Sequence, residues 1–115
     1  MALIRNWPNS EKGHFHSIAL SRQYLCRVLT LEALLDENMT ADRQIYLLNI
    51  GVEGFDVQVL RSNNWQKYRP KIVLVEILNS NFADFEDDPI VEFMLDKNYV
   101  FFAKIVNTAF FRAEH

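Results

Sequence analysis

The segment at residues 45–77 constrains the fold more than any other part of the chain, because two apolar runs flank a helix-like stretch. The runs at residues 45–50 and 72–77 contain few polar side chains, which is typical of strands covered on both faces in a parallel sheet. Between them, Gly54 allows the chain to turn into a helix that starts near Phe55. The segment therefore predicts two parallel strands joined by a right-handed helical crossover.

The other predicted elements extend this pattern on both sides. They are a loop over residues 1–16, a short strand at 24–29, a helix from Thr30 to about residue 38, a helix from Asp88 to about residue 97, and strands at 99–106 and 109–112. The side chains predicted to pack against the sheet are Phe55, Val59 and Leu60 of the central helix and Ile90, Val91, Phe93, Met94 and Leu95 of the later one. The alternation of strands and helices predicts the α/β class, and the final pair of strands makes the sheet mixed.

Length, charge and cysteine content exclude several classes of protein. The chain has 115 residues, half of them hydrophobic, which fits one folded domain. A formal net charge of −3 argues against nucleic acid or an anionic membrane as the main partner. Without a membrane-length apolar run or a signal-peptide core, a cytoplasmic protein is expected. Cys26, the only cysteine, is expected to be a small buried hydrophobic residue.

Two acidic residues stand near the ends of the two central strands. Glu53 lies in the turn after the first strand, and Glu76 lies near the end of the second. Because ligands of open α/β sheets bind at the carboxyl ends of the strands, we expect both carboxylates to reach that edge. There, Glu53 can accept a proton, orient a hydroxyl or hold a metal. The alternatives are that Glu53 only complements the following helix dipole and that Glu76 is a core carboxylate paired with Arg or Lys.

Other polar and aromatic groups give weaker indications of a site. His14 and His16 share one face of an extended segment, but two ligands without a third make a poor metal site. The acidic residues 84–88 lack the ligand spacing of a calcium loop and are predicted to form a solvated loop that ends in a helix cap. Trp65 and Tyr68 are predicted to pack the end of the central helix onto the sheet.

Glycine is scarce where a nucleoside cofactor would need it. The chain has three glycines, Gly13, Gly51 and Gly54. Folds that bind such cofactors normally use a glycine-rich first turn, which lets the backbone approach the ligand. These 115 residues contain no turn of that composition.

Several spaced motifs resemble a single enzyme family. Residues 50–54 read Ile-Gly-Val-Glu-Gly, and the other matching positions are residues 30–35, Val59-Leu60, Asn64-Trp65, Tyr68-Arg69-Pro70-Lys71, Val75-Glu76, Tyr99, Ala103-Lys104 and Asn107-Thr108. Together they resemble FkbM-type S-adenosylmethionine-dependent methyltransferases, in which a strand ending in Ile-Asp-Val-Glu-Gly precedes a helix. The similarity runs from about residue 29 to about residue 111.

The resemblance implies a partial Rossmann-like sheet of the methyltransferase type, with a C-terminal antiparallel hairpin and S-adenosylmethionine as cofactor. It also implies methyl transfer to a hydroxyl of a sugar or related metabolite, with Glu53 orienting the acceptor and Glu76 lining the same cleft. Gly51 takes the position of the family's Asp, beside the cofactor. Only the family's carboxyl-terminal half is similar, so residues 29–115 are expected to form a family-like half and residues 1–28 an irregular amino-terminal segment of one truncated domain.

The family's Asp-x-Gly-Ala-Asn cofactor turn and its first two strands have no counterpart in this sequence. Because methyl transfer needs the donor held in line with the acceptor, we expect absent or very weak activity from this chain alone. The alternative is a non-enzymatic module, derived from a methyltransferase, that dimerises or docks on another protein. A third possibility is a small metal-dependent enzyme that uses Glu53, Glu76 and a histidine.

The strand at residues 45–50 pairs with the missing first strand in the parent fold. Its edge would then be bare and apolar, which favours aggregation unless something covers it. The candidates are residues 15–20 or 24–29 of the same chain, or a second copy. We expect a homodimer through this edge, because a symmetric pairing of identical edges is the simplest arrangement.

Overall fold

The computed structural model describes residues 2–4, 26–40, 42–78 and 84–114. The strands are β1 (Ala2–Ile4), β2 (Arg27–Leu29), β3 (Leu47–Ile50), β4 (Ile72–Glu76), β5 (Tyr99–Ile105) and β6 (Thr108–Ala113). The helices are α1 (Leu31–Asn38), α2 (Asp56–Arg61) and α3 (Pro89–Asp96), and a single 3-10 turn covers Phe85–Asp87. The strands form a two-stranded sheet, β1-β2, and a four-stranded sheet with the order β3-β4-β6-β5.

The four-stranded sheet is mixed. β3 and β4 run parallel, with Leu47 opposite Ile72 and Ile50 opposite Val75, and α2 lies between them in the chain. β6 is antiparallel to both of its neighbours, β4 and β5. The predicted strand-helix-strand unit and the predicted C-terminal antiparallel hairpin are both confirmed, and so is the α/β fold class.

Local capping residues fix the ends of the helices as predicted. The Thr30 hydroxyl accepts a hydrogen bond of 3.1 Å from the Ala33 amide at the start of α1. At the start of α3 the Asp88 carboxylate accepts one of 2.8 Å from the Ile90 amide, with proline in the first helical turn. Asn98 ends α3 in the left-handed conformation, with φ 61°.

All three helices contribute to a core on one face of the sheet. On that face the strand residues Val73, Val75 and Phe111 are fully buried, and α2 and α3 cover them with Leu60 and Met94, which are also fully buried. The alternate residues of β4 and β6 point to the opposite face and are only half-buried or exposed. Within the described residues, this sheet therefore has helix cover on one side only.

Trp65, Tyr99 and Arg69 join the helical layer to the sheet. The Trp65 indole donates to the Leu60 carbonyl at 2.8 Å and meets the Tyr99 ring edge-on at 5.4 Å between centroids. The Arg69 guanidinium donates to the Lys97 carbonyl at 2.8 Å, which satisfies the open carboxyl end of α3. Trp65 and Tyr68 are both buried, so the predicted packing role of these two residues is confirmed.

Three side-chain burial predictions are wrong. Phe55 is 65% exposed, because α2 starts one residue later and Asp56 takes the buried position. Leu95 is 51% exposed, because the buried stripe of the short α3 is narrow and consists of Ile90, Val91 and Met94. Cys26 is exposed, because it precedes a strand of the small sheet rather than a strand of the core.

The amino-terminal strands also correct the sequence analysis. Ala2–Ile4 falls in the predicted loop, but it forms a strand because it pairs antiparallel with Arg27–Leu29. The strand predicted at residues 24–29 is therefore present at 27–29, yet it pairs with β1 and not with the edge of β3. The other candidate cover for that edge, residues 15–20, lies outside the described residues.

Candidate functional site

The carboxyl edge of β3 and β4 brings two of the predicted site residues together. Ile50 is opposite Val75 in the parallel register, so the next residues, Gly51 and Glu76, lie side by side. A Cβ atom built on Gly51 would be 3.8 Å from Oε2 of Glu76. The position that the family fills with Asp therefore borders the Glu76 carboxylate directly.

Glu53 lies in a tight turn at the same edge. Its backbone has φ 46°, the following Gly54 has φ 96°, and the Phe55 amide donates to the Val52 carbonyl at 3.3 Å to close the turn. Left-handed backbone disfavours side chains with a Cβ, so this conformation at Glu53 stores strain of about 1 kcal/mol. The Glu53 side chain is exposed. No hydrogen bond joins it to Glu76 within the described part of the chain.

Asp56 is a buried carboxylate that the sequence analysis missed. Its side chain is 4% exposed and accepts long hydrogen bonds from the amides of Val52, at 3.4 Å, and Gly54, at 3.3 Å. These contacts hold the turn that presents Glu53. The signal in the sequence is an acidic residue in the first turn of a helix directly after a glycine turn, where backbone amides are unpaired.

Glu76 is half-buried at the end of β4, opposite Thr108 of β6. The alternative of a core ion pair predicts a basic partner for this carboxylate. No Arg or Lys among the residues that the structure describes forms an ion pair with Glu76. Its carboxylate therefore remains available to a ligand at this edge, as far as the described residues go.

Exposed apolar side chains lie at the same edge of the sheet as these carboxylates. Phe55 follows the Glu53 turn, Leu78 follows β4, and Ile105 and Val106 form the tip of the β5–β6 hairpin at the same edge. Leu78 and Ile105 are 48% and 64% exposed. Exposed apolar groups clustered around polar ones are typical of a binding surface.

The metal-binding alternatives gain no support from the described residues. Within ranges 2–4, 26–40, 42–78 and 84–114, no three His, Cys, Asp or Glu side chains form a group that could hold an ion. His14 and His16 lie outside those ranges. Residues 84–88 form the predicted solvated loop, since the 3-10 turn exposes Glu86 and Asp87 and Asp88 caps α3.

Similarity to a known protein family extends over most of the chain. The family model described as "Methyltransferase FkbM domain" matches residues 4–101. The chain belongs to the FkbM methyltransferase family. The match begins well before residue 29, where the motif resemblance starts. No curated protein and no solved structure matched this FkbM-family chain.

At the described edge of this FkbM-family chain, Gly51 provides no glycine-specific backbone site for a nucleoside cofactor. Gly51 is not in the left-handed region, and a Cβ there would make only ordinary van der Waals contact with Glu76. Gly51 therefore has neither a backbone conformation nor a close approach to neighbouring atoms that only glycine allows. The other side chains described at this edge include the carboxylates of Glu53 and Glu76, Thr108 opposite Glu76, and the exposed apolar groups.

No helix in the described part of this FkbM-family chain is both long and apolar enough to cross a membrane.

Proposed function

We propose that this chain provides the acceptor side of an S-adenosylmethionine-dependent O-methyltransferase of the FkbM type. The observation that carries the proposal is that Gly51 and Glu76 lie side by side at the carboxyl edge of the parallel strands, with Oε2 of Glu76 3.8 Å from where a Cβ on Gly51 would be. Family membership supplies the reaction class, because the FkbM methyltransferase domain matches residues 4–101, which include this strand-turn-helix segment. S-adenosylmethionine supplies an electrophilic methyl group when it is bound.

Glu53 and Glu76 act on the acceptor hydroxyl in this proposal. A carboxylate that accepts a hydrogen bond from the hydroxyl orients its oxygen and takes up its proton as the oxygen is alkylated. Asp56 is a positioning residue, because its carboxylate holds the turn that carries Glu53. Transfer also depends on accurate placement of the oxygen, and small misplacements lower the rate steeply.

The acceptor class is a sugar or a related metabolite that carries a hydroxyl. The exposed Phe55 ring at the same edge supports this choice, because an aromatic face packs against the C–H face of a sugar ring while carboxylates bind its hydroxyls. Ligand-observed saturation-transfer NMR with a panel of monosaccharides tests it. We expect contacts that Glu76→Gln weakens and that Glu114→Gln, at the opposite edge of the sheet, leaves unchanged. Equal loss in both variants would contradict the assignment.

This chain alone is proposed to transfer methyl groups very weakly or not at all. Its three glycines include no glycine-rich turn for the donor. Titration calorimetry with S-adenosylhomocysteine should therefore show no saturable binding, and a radiolabelled methyl-transfer assay should stay near background. Stoichiometric micromolar binding would contradict this part of the proposal and would leave the assignment of the acceptor side intact.

Restoring the family's acid by Gly51→Asp should not rescue activity. The structure has space for the side chain, but the new carboxylate would lie beside that of Glu76, and two adjacent like charges disfavour double ionisation. We expect no gain in S-adenosylhomocysteine binding by calorimetry, with Gly51→Asn as the uncharged control. A clear gain with Asp and none with Asn would show that one residue limits donor binding.

A non-enzymatic role is the second candidate, as an interaction module derived from a methyltransferase. The exposed edge of β3, with Tyr46 and Leu47 more than half exposed, favours it.

A cytoplasmic location is proposed for both candidate functions. It is consistent with the exposed thiol of Cys26, since free thiols persist in reducing compartments. Cell fractionation tests the location, and recovery in a secreted fraction would contradict it.

A further inference from the structure

Glu76 has a different neighbour on each side of β4. In the sheet, β4 lies between β3 and β6, so Gly51 borders Glu76 on one side and Thr108 lies opposite it on the other. Around a Cβ built on Gly51, Oε2 of Glu76 is the one described atom within 4 Å apart from the adjoining residues of the chain. The missing side chain of Gly51 therefore leaves room for a ligand beside this oxygen.

The hydrogen bonds between the ends of β4 and β6 bring Thr108 close to Glu76. The Ile77 amide donates to the Asn107 carbonyl at 2.7 Å, which marks these two residues as a hydrogen-bonded pair of the antiparallel ladder. Hydrogen-bonded and non-hydrogen-bonded pairs alternate, so Glu76 and Thr108 form a non-hydrogen-bonded pair. The Cβ atoms of such a pair are about 5 Å apart, and both side chains leave the sheet on the same face.

This face of the sheet is the one without helices. Val75 and Ala109, which form the next pair along the two strands, are fully buried in the core. Because side chains alternate between the two faces of a strand, Glu76 and Thr108 point toward the face that has no helix cover within the described residues. Both residues are half-buried there. A ligand that reaches the Glu76 carboxylate therefore also reaches the Thr108 hydroxyl.

The described part of the fold uses neither polar group. No hydrogen bond or ion pair joins the Glu76 carboxylate or the Thr108 hydroxyl to another described residue. Half-buried polar groups have lost part of their hydration, so a hydrogen bond to a ligand yields more free energy there than at a fully exposed site. Their chemistry also differs, because an ionised carboxylate only accepts hydrogen bonds, whereas a threonine hydroxyl donates and accepts them.

We propose that Thr108 is a second acceptor-binding residue and that it selects acceptors with hydroxyls on two neighbouring carbons. One hydroxyl of the acceptor donates to the Glu76 carboxylate, and the adjacent hydroxyl bonds the Thr108 hydroxyl. Side chains that extend from Cβ atoms about 5 Å apart can bond two such hydroxyls of one ligand. This inference rests on the proposed function, which assigns Glu76 to the reacting hydroxyl, and it adds a requirement for the carbon next to it.

Deoxy sugars test the requirement for neighbouring hydroxyls. The probes are the methyl glycosides of glucose, mannose and galactose with their monodeoxy analogues, and saturation-transfer NMR measures each dissociation constant. For the parent chain, removal of either of two neighbouring hydroxyls should raise the dissociation constant about three- to tenfold, as expected for one lost hydrogen bond. Sensitivity to a single hydroxyl, or to two that are not neighbours, would overturn the proposal.

A substitution at Thr108 assigns one of these hydroxyls. Thr108→Val keeps the β-branched shape that suits a strand and removes the hydroxyl. This variant should bind the intact sugar about three- to tenfold more weakly, and it should no longer distinguish that sugar from the analogue without the adjacent hydroxyl. The matched control Thr108→Ser keeps the hydroxyl and should keep the preference. Weaker binding of every probe with the preference unchanged would show a purely structural role and contradict the proposal.

Glu76→Gln separates this inference from the proposed function. With amide NMR spectra verifying the fold of each variant, Glu76→Gln should weaken binding of the intact sugar and leave the preference that depends on Thr108 in place. If Glu76→Gln weakens binding and Thr108→Val does not, the inference is wrong and the proposed acceptor side stands. If neither variant changes the binding of any probe, or if no probe binds the parent chain, both are wrong.

Discussion

At the scale of single residues, Val106 has the most strained backbone among the described residues. It occupies the β5–β6 turn with φ 54°, a conformation that is rare for a β-branched residue, and it is 84% exposed. Glu53 shares this left-handed conformation at the same edge of the sheet. Strained residues cluster at functional sites more often than elsewhere, which agrees with the location of the candidate site at this edge.

Replacing Val106 with glycine should stabilise the fold. Val106→Gly relieves left-handed strain and removes little buried surface, so the free energy of unfolding should rise by about 0.5–1 kcal/mol. Urea denaturation measures the change. The control Val100→Gly, within β5, should lower the same free energy by at least about 1 kcal/mol. A loss of stability at both positions would show that the Val106 conformation is not strained.

Tyr99 should make stability depend on alkaline pH. Burial raises the pKa of Tyr99 from 10.0 to about 12, against the opposing charge of Arg69, and its hydroxyl donates to the Pro70 carbonyl at 2.6 Å. The folded state therefore holds this proton more tightly, so the contribution of Tyr99 is complete below pH 10 and is lost as the pH rises through about 12.

The variant Tyr99→Phe isolates this contribution. Near neutral pH it should be about 1 kcal/mol less stable than the parent, because a buried hydrogen bond is lost. Between pH 10 and about 12 the parent should lose roughly 2–3 kcal/mol relative to the variant, so that it becomes the less stable of the two, since only the parent has the raised pKa. Parallel urea titrations across this range measure it, and a difference that is constant with pH would contradict the prediction.

Residues whose role is local were predictable, and residues whose role depends on tertiary contacts were not. Thr30, Asp88 and Asn98 cap helices through atoms within three residues along the chain, so their types alone indicated the caps. Phe55 was expected in the core but is exposed. The buried position at the start of α2 is occupied by Asp56, whose carboxylate accepts a hydrogen bond from the Gly54 amide in the preceding turn. Helical periodicity contains no information on that contact.

At the scale of elements, α3 shows how narrow the buried stripe of a short helix is. Met94 is fully buried and its neighbour Leu95 is half-exposed. Met94→Ala should lower the free energy of unfolding by about 2–5 kcal/mol, as for other core truncations. The matched control Leu95→Ala should change it by no more than about 0.5 kcal/mol. Similar losses in the two variants, measured by urea denaturation, would mean that Leu95 is buried in solution.

Elements that form through neighbouring residues were predicted better than elements that need a distant partner. The parallel pair β3–β4 was predicted because both apolar runs and the helix between them are continuous in sequence. β1 was missed because three residues become a strand only by pairing with Arg27–Leu29, across a long separation in the chain. The carboxyl edge with Gly51 and Glu76 was predictable for the same reason as β3 and β4, since it follows from their parallel order.

At the scale of the whole molecule, the homodimer expected from the sequence would make the melting temperature depend on protein concentration. A partner that binds only the folded state raises apparent stability by mass action, so the parent should melt several degrees higher at about 100 μM than at about 1 μM. Asn49→Pro removes a backbone amide on the outer side of β3, where the second copy would pair, and should melt at the same temperature at both concentrations. Differential scanning fluorimetry measures both proteins, and a parent curve independent of concentration would count against a dimer.

The position of β6 in the sheet determines the order in which the strands can pair during synthesis. β6 follows the other described strands in sequence, yet it lies between β4 and β5 and is the described neighbour of both. During synthesis, β5 therefore has no strand to join until residues 108–113 have left the ribosome. A nascent chain halted at residue 107 would hold β5 as an unattached ribbon, and the hairpin would close the sheet only after synthesis had continued past residue 113.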